Sequence, residues 1–337
     1  MAHHAGRDFP RTSRVLPAMA TATPPPTRPV ALITGASRGL GFLLAREFAA
    51  RGHDLVLCAR SATGLDIARA DLEREGIRVA AVPADIGVAA EAHRVVDAAV
   101  QRFGRLDVLV TNAGVIQTGP ARTMTAPAYA EAMDVMFWGQ VHPVLAAWEH
   151  LRGAGGRILA ITSVGGKLPA PHLLPYVAAK HAAVGFAEGL RVEAGREGIS
   201  VTVAVPGLMR TGSPRNALFT GDRERERAWF TVGDSLPLLS MNAERAARKL
   251  VRATLRGRPE IVLTVPAALA ARLHGLAPST MLRLLGAIDR LLPTGEATTP
   301  QPGHALGEPS RVVHALTGLT RAAALRTHQH DDPTPTR

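Results

Sequence analysis

The stretch Thr34-Gly35-Ala36-Ser37-Arg38-Gly39-Leu40-Gly41 decides the fold class of this chain. It follows the apolar run 29–33 and precedes the apolar sequence 42–49, an order that predicts a strand, a glycine turn and a helix. Glycine allows a sharp turn and a close approach of backbone to ligand, and the amide groups at a helix start attract anions. The stretch therefore predicts a nucleotide site in an α/β fold, although such turns also occur for purely geometric reasons.

The composition is that of a globular protein. With 337 residues, 46% of them hydrophobic, the chain can bury the core of one large α/β domain. Its only cysteine, Cys58, lies in an apolar run, so an intramolecular disulfide is excluded and a reducing compartment is indicated. We therefore expect a cytoplasmic protein. No uncharged apolar run reaches about 18 residues, so we expect no membrane-spanning helix.

The formal net charge of +11 comes almost entirely from arginine, since only Lys167, Lys180 and Lys249 are lysines among the 39 basic residues. The arginines are scattered, mostly among acidic residues, and no aromatic residues alternate with them to stack on bases. We therefore expect no nucleic-acid partner. No group of potential ligands has metal-site spacing, so we expect no metal.

The second predicted strand, 54–60, ends in Ala59 and Arg60. An acid near this position, about 20 residues past the glycine turn, binds the ribose 2′-hydroxyl of NAD, whereas an arginine suits the 2′-phosphate of NADP. Arg38, within the glycine turn, offers a second guanidinium for the same phosphate. The sequence therefore favours NADP(H), the alternative being that both arginines are ordinary surface charges.

Two further strands, 78–86 and 106–110, end in residues with candidate roles. The first ends in Asp85-Ile86, where the aspartate could cap the following helix. The second leads to Thr111-Asn112-Ala113-Gly114, and a short amide at a strand end can fix backbone groups of neighbouring strands. A plain turn at the end of the strand explains this tetrapeptide equally well.

A hydroxyl, a phenol and an amine follow in the second half of the chain. The buried-strand pattern 157–163 ends in Ser163, and Tyr176 and Lys180 come after it. Because residues at i and i+4 share a helix face, the tyrosine and lysine side chains can meet one ligand.

The TGxxxGxG turn, Ser163 and the YxxxK pair Tyr176–Lys180 together resemble the short-chain dehydrogenase/reductase family over roughly residues 29–211. The resemblance implies one Rossmann-like α/β domain with a doubly wound parallel sheet of about seven strands and a C-terminal helical extension. It also implies an oxidoreductase that interconverts a carbonyl and an alcohol, and Arg38 and Arg60 make NADP(H) its expected cofactor. The apolar residues of the segment 208–241, with Leu168, Leu173 and Leu208, indicate an apolar small-molecule substrate.

The resemblance assigns roles to these residues. Ser163 would hydrogen-bond the substrate oxygen, Tyr176 would act as general acid or base, and Lys180 would favour the phenolate and hold the nicotinamide ribose. Asp85 and Ile86 would contact the adenine. The predicted cofactor-binding set is Gly35, Ser37, Arg38, Gly39, Leu40, Gly41, Arg60, Asp85, Ile86, Asn112, Ala113, Gly114, Tyr176, Lys180, Pro206, Gly207 and Thr211.

One position departs from the family pattern. The third residue of a segment like 134–139 is usually an asparagine that completes a tetrad with the serine, tyrosine and lysine, and here it is Met136. A thioether cannot replace the amide's donors. The alternative function is therefore a catalytically weak or inactive NADP-binding or scaffold protein of the same fold.

The sequence also predicts domain boundaries. We expect a disordered leader at 1–28, with Met19 as an alternative start to Met1, and a catalytic domain at 29–266. A substrate lid is expected at about 208–241, because this charged and glycine-containing segment follows the last catalytic motif. Two amphipathic helices are predicted at 267–293, then a tail, 294–337, that is mostly disordered apart from a short helix at 310–325.

Two helical regions could bind partners. The family resemblance implies a homodimer formed by a long helix at 125–151 and the helix that carries Tyr176, although an intrachain core face explains their large apolar residues equally well. The helices of 267–292 could cover the core, extend a dimer interface or lie on a membrane surface, and we favour these possibilities in that order.

Overall fold

A computed structural model describes residues 28–153, 155–236, 240–307, 313–314 and 317–329. Its strands are β1 (Val30–Thr34), β2 (Asp54–Ala59), β3 (Val79–Pro83), β4 (Val108–Thr111), β5 (Gln117–Thr118), β6 (Arg157–Ile161), β7 (Ser200–Val205), β8 (Leu208–Arg210), β9 (Leu218–Phe219), β10 (Ser240–Asn242), β11 (Glu260–Val262) and β12 (Gln301–Pro302).

The main helices alternate with these strands. They are α1 (Gly39–Ala49), α2 (Ala62–Arg74), α3 (Ala89–Phe103), α4 (Ala126–Met133), α5 (Gly139–Leu151), α6 (Leu174–Ala194), α7 (Arg223–Ser235), α8 (Ala243–Leu255), α9 (Val265–Leu276), α10 (Pro278–Asp289) and a C-terminal helix, Gly318–Arg326.

Seven strands form one parallel sheet in the order β3-β2-β1-β4-β6-β7-β11. The strand order reverses between β1 and β4, and ligands of open α/β sheets bind at the carboxyl ends of the strands beside such a reversal. The predicted doubly wound sheet is confirmed.

Alternate side chains of β1 pack into two separate cores. Ala31 and Ile33 belong to the cluster that contains residues of α1 and α8, whereas Val30 and Leu32 belong to the cluster that contains residues of α3 and α5. All five residues of β1 are fully buried, as expected of a parallel strand covered on both faces. Burial of each large apolar side chain stabilises the fold by roughly 1.5–3 kcal/mol.

The long helix predicted at 125–151 is interrupted. Helix α4 passes into a π-helical stretch, Asp134–Trp138, before α5 begins. A π-helical turn inserts an extra residue into the helix and is often found near functional sites. The interruption contains Met136, whose side chain is fully buried.

Helices α9 and α10 confirm the two predicted helices but do not cover the core. Ala267 is the one buried residue of α9, and α10 has none. Leu276 and Leu291 are 83% and 85% exposed. The prediction that these two helices cover the core is therefore wrong. A role in a dimer interface or at a membrane surface stays a prediction. Within the described residues, no helix is both long and apolar enough to cross a membrane.

The expectation of a mostly disordered tail does not hold for 294–307 and 317–329. Strand β12 pairs with β9, and the backbone amide of Gly303 donates to the carbonyl oxygen of Ala217 at 2.9 Å. Residues Gly318–Arg326 form a helix. Residues 1–27 of the predicted leader lie outside the described residues.

Candidate active site

One cavity of about 1300 Å³ lies at the carboxyl ends of the central strands. It is lined by every residue predicted to be catalytic or to bind the cofactor: Gly35, Ser37, Arg38, Gly39, Leu40, Gly41, Arg60, Asp85, Ile86, Asn112, Ala113, Gly114, Ser163, Tyr176, Lys180, Pro206, Gly207 and Thr211. Their positions are consistent with one shared site.

The glycine turn packs too closely for side chains. Gly35 has φ +64°, and a Cβ there would lie 2.8 Å from the Cα of Ala113. A Cβ at Gly41 would overlap the carbonyl oxygen of Gly35. Glycine is therefore required here by the close approach of β1, α1 and the end of β4.

Asn112 joins the end of β4 to this turn. Its side-chain amide donates to the carbonyl oxygens of Thr34 at 3.0 Å and Gly35 at 3.1 Å, and its backbone amide donates to Thr34 Oγ1 at 2.9 Å. These bonds make the cross-strand support expected of a short amide at a strand end.

Asp85 does not cap the next helix. Helix α3 has Val88 at its N-cap, with no side-chain capping bond, and Asp85 Oδ1 instead accepts from the amide of Gly87 at 3.1 Å. The alternative capping role is therefore wrong, because the turn 85–88 separates the aspartate from the helix.

The tertiary structure adds an acid beside Arg60. Glu131, on α4, lies 3.9 Å from Arg60 Nη1 and also accepts from Gln117 Nε2 at 3.0 Å. Both Arg60 and Glu131 line the cavity. The sequence has no acid at 58–61, but the fold supplies one, so Arg60 already has a charged neighbour.

Ser163 and Tyr176 both lie beside Gly165, and the serine oxygen accepts from the amide of that glycine at 3.0 Å. The pKa of Tyr176 is raised, chiefly by burial and slightly by the charge of Asp234, while the neighbouring hydroxyl of Ser163 opposes the shift. The phenol therefore stays protonated at neutral pH.

Lys180 is buried behind this pair. Its Nζ lies 5.9 Å from the centre of the Tyr176 ring and donates to the carbonyl oxygen of Ile161 at 2.9 Å. Burial lowers the pKa of Lys180 to about 8. The ammonium group therefore begins to lose its charge near pH 8, whereas an ordinary lysine does so only above about pH 10.

Asp234 is a cavity residue that sequence analysis missed. It belongs to α7 of the lid segment, is 3% exposed and accepts from Ser213 Oγ at 3.2 Å. Burial raises its pKa to about 7. The charged sequence around 222–227 gives no sign that a later aspartate of the same helix is buried.

The C-terminal segment also reaches the site. The backbone amide of Gly39 donates to the carbonyl oxygen of Thr327 at 2.8 Å, and Thr327 Oγ1 donates to the carbonyl oxygen of Thr211 at 2.8 Å. Gln329 lines the cavity, accepts from Asn216 and lies close to Gly39. We call residues 317–329 the C-terminal strap, since they join the glycine turn to the segment after Pro206-Gly207. Its composition carries no signal that would have revealed this contact.

The sheet reversal, the glycine turn and the clustered hydroxyl, phenol and amine define a dinucleotide-binding α/β protein. A family model described as short chain dehydrogenase matches residues 29–218, and the chain belongs to that family of oxidoreductases, which act on small molecules with a nicotinamide cofactor.

Relatives and solved structures agree with this membership. The chain is 37% identical to 11-beta-hydroxysteroid dehydrogenase A of Sesamum indicum, over 71% of this chain and 68% of that protein. A short chain dehydrogenase/reductase of Burkholderia phymatum in complex with NAD has a TM-score of 0.69 and 27% identity, covering 75% of this chain and 95% of its own. A variant of actinorhodin polyketide ketoreductase with NADPH has a TM-score of 0.62 and 26% identity, covering 70% and 96%.

Proposed function

We propose that this protein is an NADP(H)-dependent oxidoreductase that reduces a carbonyl group on an apolar small molecule, with Tyr176 as the proton donor. The observation that carries the proposal is the grouping of Ser163, Tyr176 and Lys180 in the cavity that also contains the glycine turn. When bound, the nicotinamide supplies a hydride.

The side chains provide the rest of the chemistry. Ser163 and Tyr176 present two hydroxyl groups to a carbonyl oxygen, which becomes negative as the carbonyl is reduced. The raised pKa of Tyr176 keeps its proton available for donation, so the pair is better suited to reduction than to oxidation. Lys180, as a cation, stabilises the phenolate that remains after the proton has moved.

The glycine turn and its surroundings fit a dinucleotide. Glycines lie where the backbone packs closest, and the amides of Leu40 and Gly41 at the start of α1 have no partner within the helix. Arg38 and Arg60 at the cavity wall favour a 2′-phosphate over a 2′-hydroxyl. Glu131 opposes this preference, so selectivity for NADPH depends on the ion pair between Arg60 and Glu131.

An apolar substrate is supported by the side chains around the far part of the cavity. Leu173 precedes α6, while Leu208, Leu218 and Phe230 come from the predicted lid, and all four line the cavity. Burying such a surface against an apolar ligand is favourable.

We also propose a cytoplasmic homodimer. Leu145 on α5 and Val192 on α6 are 63% and 78% exposed, and Trp138, the last residue of the π-helical stretch before α5, is 42% exposed. These are the helices that the family resemblance assigns to the dimer. Leu145→Arg should therefore give a monomer in size-exclusion chromatography with light scattering, whereas an unchanged dimer would contradict this assignment.

The second candidate function, an inactive NADP-binding or scaffold protein, is favoured by one observation: Met136 occupies the usual asparagine position. A screen of carbonyl compounds for NADPH oxidation distinguishes the two. Turnover that Tyr176→Phe abolishes supports the enzyme, whereas NADPH binding without turnover of any aldehyde or ketone in the panel supports the binding protein.

A further inference from the structure

Met136 stands where the family usually has an asparagine, so the polar side chain expected near Lys180 is missing. It is fully buried in the π-helical stretch and packs in a cluster with Ala132 and Ala179, against which Tyr176 also lies. The ammonium group of Lys180 only donates hydrogen bonds, and a thioether is at best a weak acceptor for it. If Lys180 is positioned by an amide in this protein, another residue must provide it.

Gln140 lies one helical turn after Met136 and reaches the lysine's own acceptor. Its side chain is 2% exposed, and its Nε2 donates to the carbonyl oxygen of Ile161 at 3.2 Å. Lys180 Nζ donates to the same oxygen at 2.9 Å. A carbonyl oxygen has two lone pairs, so it can accept both bonds at once.

The orientation of the Gln140 amide follows from this contact. Because the carbonyl of Ile161 can only accept, the amide nitrogen must face it and Oε1 must point away. Oε1 is buried and has no hydrogen-bond partner among the described residues. An unpaired buried amide oxygen is costly, and Lys180 does not bond to it directly, so a water bridging Oε1 and the ammonium group would satisfy it.

We propose that Gln140 is a positioning residue for Lys180, in place of the asparagine that the family usually has at position 136. It fixes the Ile161 carbonyl that holds the ammonium group and offers its own oxygen, through a bridging water, as a further acceptor. This inference rests on the proposed function, since it gives Lys180 its role. The low pKa of Lys180, about 8, makes the lysine sensitive to the loss of such an acceptor.

The charge state of Lys180 tests the proposal without any need for activity. The chain has only three lysines, so ¹³C-labelled lysine side chains give three NMR signals, and Lys180→Arg identifies the one that matters. Gln140→Leu removes both amide groups and should lower the pKa of Lys180, while Gln140→Glu places a negative charge there and should raise it. Lys167 and Lys249 report on global effects in the same spectra.

Activity gives a second readout. Gln140→Leu should lower kcat roughly 10-fold or more, with a smaller change in KM for NADPH, and should move the high-pH limb of the kcat profile to lower pH. Gln101→Leu, an exposed glutamine on α3, is the matched control and should change neither. Met136→Asn should restore part of the turnover lost in Gln140→Leu.

The role of Gln140 and the proposed enzyme activity can fail independently. A folded Gln140→Leu variant with an unchanged Lys180 titration and an unchanged pH profile overturns the role of Gln140, even if Tyr176→Phe abolishes turnover. A wild type without turnover overturns the proposed enzyme, and the NMR titration then still decides whether Gln140 positions Lys180.

Discussion

The backbone amide of Gly39, at the first position of α1, donates a hydrogen bond to the carbonyl oxygen of Thr327 near the end of the chain. Gly39 belongs to the predicted pyrophosphate turn, so one of the amides expected to face the phosphates is occupied by the protein itself. The ring centroids of Phe42 and His328 lie 4.1 Å apart, and His328 Nε2 is 2.8 Å from Asp71 Oδ2. The C-terminal strap thus holds the start of α1 and forms one wall of the cavity.

Removing the strap should weaken NADPH binding. A chain that ends at residue 316 frees the Gly39 amide but loses the contacts that hold the start of α1 and the cavity wall formed by Gln329. We expect the loss of a preformed site to outweigh the freed amide, so that the dissociation constant for NADPH rises roughly 10-fold. Isothermal titration measures the change. A chain that ends at residue 329 retains the strap and serves as the control. Equal affinities of the two chains would show that the strap is irrelevant to the cofactor.

Tyr176→Phe should nearly abolish turnover and leave NADPH binding close to normal, because the lost hydroxyl acts on the substrate oxygen and not on the cofactor. Tyr129→Phe is a matched control, since Tyr129 is the only other tyrosine and is not among the cavity-lining residues. Steady-state kinetics and titration of both variants measure the two effects. Turnover near the wild-type level in Tyr176→Phe would refute the proposed proton donor.

The cofactor preference should depend on Arg60 and Glu131 in opposite directions. Arg60→Ala should weaken NADPH binding roughly 10-fold and leave NADH binding nearly unchanged, because a charge-assisted bond to the 2′-phosphate is lost. Glu131→Gln should strengthen NADPH binding by freeing Arg60 from its ion pair. Arg69→Ala, which breaks an exposed ion pair with Asp66 on α2, is the control. If the ratio of the dissociation constants for NADPH and NADH is the same in wild type and in both variants, Arg60 and Glu131 do not act at a 2′-phosphate site.

Asp234 should make the protein less stable as the pH rises from about 4 to 7. In that range the unfolded chain has released the proton of this carboxyl group, whereas the folded protein retains it, so unfolding releases a proton and becomes easier at higher pH. With a pKa raised from 3.8 to about 7, the cost levels off above pH 7 at about 4 kcal/mol.

The variant Asp234→Asn removes this ionisation and should be more stable than wild type above pH 7, with a difference that shrinks towards pH 4. Urea unfolding at pH 5 and pH 8 measures it. Asp66→Asn, at an exposed position on α2, should show no comparable pH dependence. A stability difference between Asp234→Asn and wild type that is the same at both pH values would exclude a raised pKa for Asp234.

Much of the fold and the membership of the site could be predicted from local patterns. The TGxxxGxG turn after an apolar strand predicted a doubly wound sheet, because the glycines allow the close packing of strand, helix and pyrophosphate that a dinucleotide-binding fold requires. Tyr176 and Lys180 were predicted to share a helix face from their spacing alone, and both line the cavity with Ser163. Their catalytic roles stay predictions for the experiments above to test.

Other features depend on contacts between residues far apart in the chain, which no local pattern encodes. The ion pair of Arg60 with Glu131, the burial of Asp234 and the bond from Gly39 to Thr327 each join separate elements. The shared carbonyl of Ile161 likewise brings Gln140 and Lys180 together only when α5 and α6 pack beside the end of β6. The order of the elements and the chemical groups on offer follow from the sequence alone. Which of those groups are buried or lie close together depends on the tertiary structure, and burial and proximity are what set a pKa or form an ion pair.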